Sequence, residues 1–372
     1  MRAFGQVCCM VRDGPLPMSS QYMRFCVLAA MSLGAAPATP LYIITDLGTL
    51  GGSLSAGRAI NNSGQVAGDS LTASGADDPF FWNGTSMANI GTLGGTGGAA
   101  NGVNSAGQVT GLVDIGGNAH AFFWNGTTMV DIGSLGGVTT LGAGINASGE
   151  ITGLATIATN NFGRAFLWDG TTMLDLGTLG GVYSDGSAIN NSGQITGDSW
   201  TSSGADQAFF WNGTMIDIGT LGGTSSFGLG INNFGQIAGR SATASGATNA
   251  FFWTGTTMID LGTLGGTFSE ALGINDSDQM VGDSTTTSGV YDAFVSNGTT
   301  LFDLNNLLVN GAGWQLTEAT AINAFGQITG VGTIDGQEHA FELTPSPEPA
   351  AWMVAALALA GLCAMRARSV RG

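Results

Sequence analysis

From residue 42 onward, short apolar and β-branched runs alternate with clusters of Gly, Asn and Ser, and the alternation is periodic. Asp-Leu/Ile-Gly or a close variant begins at Asp46, Asn89, Asp131, Asp175, Asp217, Asp260 and Asp303, at intervals of 42 to 44 residues. Ile/Val-Asn recurs at Asn61, Asn104, Asn146, Asn190, Asn232, Asn275 and Asn323, and Gly-Gln-Val/Ile-x-Gly around Gln65, Gln108, Glu150, Gln194, Gln236, Gln279 and Gln327. An aromatic segment starts at Phe80, Phe122, Phe166, Phe209, Phe251, Phe294 and Phe341. Four signatures, each occurring seven times, mark a repeat architecture.

Within a repeat, the Phe-Phe-Trp, Thr-Met-x-Asp-Leu, Ile-Asn and Gln-Val-x-Gly-Asp segments are short β-compatible runs. Asn-Gly between two of them, as at Asn83-Gly84, Asn125-Gly126 and Asn212-Gly213, predicts a hairpin because both residues tolerate positive φ. Each repeat therefore reads as four strands, the pattern of one propeller blade, and the fold class is all-β: a seven-bladed β-propeller of about 43-residue repeats. The ends support closure by N- and C-terminal strands. The repeat region opens at a second segment, Tyr42-Ile43-Ile44-Thr45-Asp46-Leu47, and ends on a lone first segment, His339-Ala340-Phe341-Glu342-Leu343. Three strands at the front and one at the back then complete the seventh blade and remove open sheet edges. The alternative is an open β-solenoid.

The residues carrying this pattern, Asp-Leu-Gly-Thr-Leu-Gly-Gly, Ile-Asn-x-Ser-Gly-Gln and Ala-Phe-x-Trp, resemble the HAF repeat family of extracellular bacterial proteins. His-Ala-Phe itself stands at His120-Ala121-Phe122 and His339-Ala340-Phe341. The pattern lapses in the last full repeat, where Asp303-Leu304-Asn305-Asn306 replaces Asp-Leu-Gly and Val295-Ser296 replaces the Phe-Trp pair. The resemblance implies an extracellular repeat fold without an established catalytic activity.

The two ends depart from the repeat. Arg24, an apolar stretch from Phe25 to Gly34 and then Ala36-Pro37-Ala38 have the order of a secretory signal, with cleavage at the small residues Ala36 and Ala38. Residues 1–38 read as an N-terminal extension and signal peptide with Met23 as the expected start, and residues 39–345 as the exported repeat domain. Residues 346–372 form a tail in which Ser346-Pro347-Glu348-Pro349 precedes 16 uncharged residues, Ala350 to Met365, and then Arg366, Arg368 and Arg371. A helix over 350–365 rises about 24 Å, short of the roughly 30 Å hydrocarbon core, so it predicts a weak transmembrane segment with its arginines cytoplasmic. This tail resembles the PEP-CTERM sorting signal of Gram-negative bacteria through Pro347, Glu348 and Pro349, the apolar run and the terminal arginines. That resemblance implies transient inner-membrane anchoring, processing by an exosortase, and delivery to the cell surface or an exopolysaccharide matrix.

Composition narrows the function. All nine basic residues are Arg, and three of them, Arg58, Arg164 and Arg240, face 25 acids in residues 39–349, a formal charge of −22 for that region. Such a field excludes nucleic acid and leaves the C-terminal segment as the only expected membrane contact. Cys8, Cys9, Cys26 and Cys363 all lie outside the repeats. Without Cys or Lys in residues 39–349, thiol proteases, Schiff-base enzymes and Ser-Lys hydrolases are excluded. A Ser-His-Asp triad needs His120 or His339, which occupy one repeat position and read as structural. The pairs Gly51-Gly52, Gly94-Gly95, Gly136-Gly137, Gly180-Gly181, Gly222-Gly223 and Gly265-Gly266 lack the Lys and helix of a phosphate loop, and so read as turns with positive φ or points of close backbone approach.

The repeated acids are the remaining candidates. Asp46, Asp131, Asp175, Asp217, Asp260 and Asp303 form one ring in a propeller, and Asp69, Asp198 and Asp283 a partial second. Ca²⁺ suits such oxygen ligands; the favoured reading is that each Asp accepts hydrogen bonds from backbone amides of its own turn, and no cofactor is expected. Glycosidase chemistry needs two carboxylates at a fixed separation, yet the non-repeating acids Asp114, Glu270, Glu318 and Asp335 form no recognisable pair. Trp82, Trp124, Trp168, Trp211 and Trp253 read as blade core rather than sugar platforms, and the Asn-Gly-Thr sites at Asn83, Asn125, Asn212 and Asn297 as hairpin turns rather than glycosylation acceptors. No catalytic, cofactor-binding or metal residue is assigned. The expectation is an exported, non-enzymatic propeller that binds or scaffolds, with an exosortase-type enzyme and possible exopolysaccharide as partners; the alternative is an extracellular glycan hydrolase or lyase acting through Asp or Glu.

Overall fold

A computed structural model describes residues 40–159 and 162–346. The expected signal region, with Met23, Ala36 and Ala38, and the tail from Pro347 through Arg366, Arg368 and Arg371 lie outside the described residues, as do all four Cys.

Seven antiparallel four-stranded sheets account for nearly all of the described chain. In blade 1 the strands are Gly51–Ile60, Val66–Thr72, Asp77–Trp82 and Met87–Asn89, paired in that order. The first is innermost, because the ends of the seven equivalent strands together line one central cavity of about 300 Å³, each blade contributing three residues such as Arg58-Ala59-Ile60 and Ala143-Gly144-Ile145. The blades thus begin on the Gly-Gly strand and end on the Thr-Met-x-Asp strand, two strands out of phase with the grouping read from the sequence.

Closure is realised with the opposite apportionment from that expected. Blade 7 consists of Trp314–Ile322, Ile328–Ile334, Gln337–Pro345 and, as its outer strand, Tyr42–Asp46. Tyr42 pairs with Pro345 and Asp46 with Phe341. Three strands therefore come from the back and one from the front. The reason is the phase: a repeat that starts innermost leaves only its outer strand to be supplied by the N-terminal segment. The irregular last repeat serves this joint. Asn310 accepts from the Ile44 amide at 2.9 Å and donates to the Ile44 carbonyl at 3.1 Å, covering the free edge of the closing strand.

Each signature has a packing reason. The seven Phe that open the aromatic segments are all fully buried, one per blade; burying each contributes about 1.5–3 kcal/mol. The Phe81–Trp124, Phe123–Trp168 and Phe210–Trp253 ring pairs, at 5.3, 5.7 and 5.7 Å, join neighbouring blades. In the glycine pairs both expected reasons hold, one for each member: Gly51 has φ +101°, and a Cβ on Gly52 would lie 2.5 Å from Leu71 Cβ. The Asn-Gly hairpins form, but as longer turns than two residues. Gly84 alone takes positive φ, while Asn83 Oδ1 accepts from the amides of Thr85 and Ser86.

The seven Ile/Val-Asn residues do something the sequence does not disclose. Asn61 Oδ1 accepts from the amides of Ser63 and Gln65, and its Nδ2 donates to Gln65 Oε1 and to the Asn104 carbonyl of the next blade at 2.8 Å. The interblade bond repeats from Asn104 to Asn146, Asn146 to Asn190, Asn190 to Asn232, Asn232 to Asn275 and Asn275 to Asn323. Asn323 completes the circuit on the Asn61 carbonyl at 2.9 Å. The circuit closes the seven-bladed ring independently of the strand joint.

Candidate functional site

The two acid sets separate. Asp46, Asp131, Asp175, Asp217 and Asp260 each accept, through Oδ1, from the Gly amide two residues on, at 2.7–2.8 Å; Asn89 does the same for Gly91 and Asp303 for Asn305. The outer ring therefore caps its own turns. His120 Nδ1 lies 2.8 Å from Asp131 Oδ2 and His339 Nδ1 lies 3.0 Å from Asp46, so both histidines pair with this ring. Arg164 takes the same position against Asp175, at 3.8 Å. Among the described residues no group of three His, Cys, Asp or Glu has the arrangement of a metal site.

Asp69, Asp198 and Asp283 belong elsewhere. They occupy one position on the second strand of their blades, opposite Ala56, Asp185 and Glu270 on the inner strand. The equivalent cross-strand pairs are Ala99 with Leu112, Leu141 with Leu154, Phe227 with Arg240, and Glu318 with Val331. One layer of the propeller is thus apolar in blades 2 and 3 and charged from blade 4 round to blade 1. Arg240 and Arg58 subdivide the charged arc. Arg240 Nη1 bonds Glu270 Oε2 at 2.8 Å and its guanidinium stands 4.6 Å over the Phe227 ring; Arg58 pairs with Asp69.

Between blades 6 and 7 the arc borders a second, open cavity of about 300 Å³, lined by Phe268, Glu270, Asp283, Tyr291, Thr317 and Glu318. Phe268 and Tyr291 meet edge-on with centroids 5.8 Å apart. Burial holds the Asp283 carboxyl far above the usual carboxylate range; the charges of Glu270 and Glu318, and a hydrogen bond to Glu270, add to it. Glu318 is raised by burial and then by Glu270, and Arg58 partly offsets this. The cavity thus brings together three carboxyl groups, Glu270, Asp283 and Glu318, and an aromatic corner. In blade 4, burial raises Asp185 to about 6 and also raises Asp198 and Asp206, while Arg240 draws the latter two down.

Glu270 and Glu318, which form no recognisable pair along the chain, line one cavity together with Asp283. Asp114, by contrast, accepts from the Gly117 amide, and Asp335 sits in a turn at φ 53°. A signal was present. Each cross-strand pair in this layer is separated by 13 residues, so Glu270 and Asp283, like Asp185 and Asp198, stand in register once the inner and second strands are known to pair.

No family model and no curated protein matches the chain. Among solved structures, TolB from Acinetobacter baumannii is 11% identical, with 76% of this chain and 64% of that chain covered and a TM-score of 0.45. This chain accordingly spans a little under two thirds of that protein. A putative TolB from Agrobacterium tumefaciens is 13% identical, covering 66% and 90%, with a TM-score of 0.41. The SapL1 lectin in complex with alpha methyl fucoside is 12% identical, covering 80% and 97%, with a TM-score of 0.39.

Proposed function

We propose that the protein is an exported, non-enzymatic propeller that binds a hydroxyl-rich ligand at the cavity between blades 6 and 7 and is sorted through its C-terminal tail to the cell surface or exopolysaccharide matrix. The observation that carries the binding role is the break in sevenfold repetition: carboxyls and an aromatic corner gather in one cavity, while blades 2 and 3 hold Leu and Ala at the equivalent positions. Carboxyl oxygens accept from sugar hydroxyls, and Phe268 and Tyr291 offer apolar ring faces. The −22 charge of residues 39–349 disfavours uronate-rich chains, so the ligand class is a neutral or amine-bearing polysaccharide. Export, exosortase processing and the matrix destination rest on the signal-like residues 23–38 and on Pro347-Glu348-Pro349 with its apolar run and arginines.

The raised Asp283 carboxyl opposite Glu270 also favours a second reading, glycan hydrolysis, since general acid catalysis uses a carboxyl whose pKa its surroundings have raised. Weighing against it, Glu270 and Asp283 are directly opposed cross-strand partners within one blade, whereas glycosidase carboxyls flank the scissile bond from two sides. Incubating the protein with neutral exopolysaccharide from the producing bacterium separates the two. Retention on the polysaccharide without new reducing ends or unsaturated sugars is expected; products that vanish in Asp283→Asn would overturn the binding reading.

A further inference from the structure

Strands within a blade alternate in direction, so the Asn-x-x-Gly-Gln turns and the Asn-Gly-Thr hairpins all emerge on one face of the propeller. The described chain also begins and ends there. The third strand of blade 7 runs to this face and ends at Pro345, and the outer strand leaves it from Tyr42. The Ser346 amide donates to the Leu41 carbonyl at 2.7 Å. Pro345 lies against the Phe325-Gly326 turn, 3.4 Å from where a Cβ on Gly326 would stand.

On the same face the third position of these turns is not uniform. It holds Ser63, Ala106, Ser148, Ser192 and Ser277 in five blades, but Phe234 and Phe325 in blades 5 and 7. These two rings are 73% and 68% exposed, more than any other large apolar side chain described. The turn does not need them. Its requirement is an amide donating to the Asn Oδ1, which Ser63 supplies at 2.9 Å as well as Phe325 does at 2.9 Å. Leu41, 42% exposed, lies beside the point where the chain leaves.

The sequence after Ser346 adds the occupant. Pro347-Glu348-Pro349 is followed at Ala350 by 16 uncharged residues and then three Arg. Four extended residues span at most about 14 Å, so wherever that run enters a bilayer, this face is held at the lipid surface. We infer that the turn face docks on a bilayer while the tail is attached, with Phe234 and Phe325 inserted as apolar anchors at the headgroup boundary. This rests on the proposed membrane insertion of residues 350–365. Asp276 and Asp278 on the intervening turn of blade 6 select zwitterionic over anionic lipid. The cavity stays accessible in this arrangement, because Tyr291 opens the third strand of blade 6 at its opposite end.

The test uses the full chain with its four Cys replaced by Ser, reconstituted in phosphatidylcholine vesicles. Single nitroxide labels are placed at Phe234→Cys, Phe325→Cys and, on the opposite face, Val290→Cys, and each is read for collisions with oxygen and with a water-soluble nickel chelate. The expected result is flotation with the vesicles and an oxygen-to-nickel collision ratio several-fold higher at positions 234 and 325 than at 290. Flotation with equal ratios at all three, or spin–spin broadening at 234 that reports a second copy on this face, overturns the docking inference and leaves tail insertion standing. Failure to float overturns tail insertion and this inference with it.

Discussion

Blades 2 and 3 and blades 4 to 7 share a backbone, a buried Phe and an interblade Asn, yet differ at one cross-strand layer. There the first two carry Ala99, Leu112, Leu141 and Leu154, and the others Asp185, Asp198, Arg240, Glu270, Asp283 and Glu318. What repeats seven times makes the ring; what fails to repeat is where a ligand can be distinguished from solvent. The charged arc is a poor way to add stability, since burying carboxyls costs more than their pairing returns unless every charge has a partner. Its Arg content is two, Arg58 and Arg240, against a larger number of acids, and burial raises the pKa of Asp185, Asp198, Asp283 and Glu318.

The largest expected effect comes from breaking what the two arcs share. Asn323→Ala removes the bond to the Asn61 carbonyl and leaves buried amides and Gln327 without their partner. A loss of about 3 kcal/mol is expected, several unsatisfied groups each contributing about 1 kcal/mol or more, readable by denaturant unfolding. A loss below 1 kcal/mol means the Asn circuit is decorative. Exchanging chemistry between arcs comes next. Leu154→Asp places a carboxylate in the otherwise apolar Leu141–Leu154 pair and is expected to lose about 2 kcal/mol. Asp283→Leu, which removes a buried acid, is expected to be neutral or stabilising; equal losses in both would dissolve the distinction between the arcs.

Next comes the pH dependence that the charged arc confers. Burial raises Asp185 to about 6, and raises Asp198 and Asp283 further, above their unfolded values near 4. The folded state then binds more protons than the unfolded state across that interval. The stability these groups contribute is fully present below the unfolded values near pH 4 and is lost as pH rises through the folded-state values, by at most about 1.4 kcal/mol per pH unit for each group. Thermal unfolding at pH 5 and pH 8 should show the higher melting temperature at pH 5, with the difference reduced in Asp198→Asn/Asp283→Asn. The smallest effect is on the outer acids. Asp175→Ala removes one turn cap and should cost about 1 kcal/mol, with no change in ligand retention.

Much of this was legible along the chain, because repetition exposes whatever packing demands seven times. Phe80 and its equivalents, the glycine pairs and the capping Asp residues all took the roles their chemistry suggested. The blade phase was not legible, since the aromatic segment and the Gly-Gly strand are both plausible beginnings until one knows which strand lines the axis. The Asn circuit was hidden for a related reason: its partner carbonyl belongs to the adjacent blade, 42 to 48 residues away. Glu270 and Glu318 looked like stray acids because their neighbours in the same register, Ala99 and Leu141, are apolar. Departure from the repeat, which made them seem incidental, is what marks the cavity.

Calorimetric titration of neutral exopolysaccharide fragments into wild type and into Glu270→Gln/Asp283→Asn/Glu318→Gln is the most direct test of the central claim, with thermal unfolding as the check that the variant remains folded. The account predicts binding by wild type and at least a tenfold loss in the folded variant. Equal affinity in the two proteins would contradict it and place the ligand elsewhere on the ring.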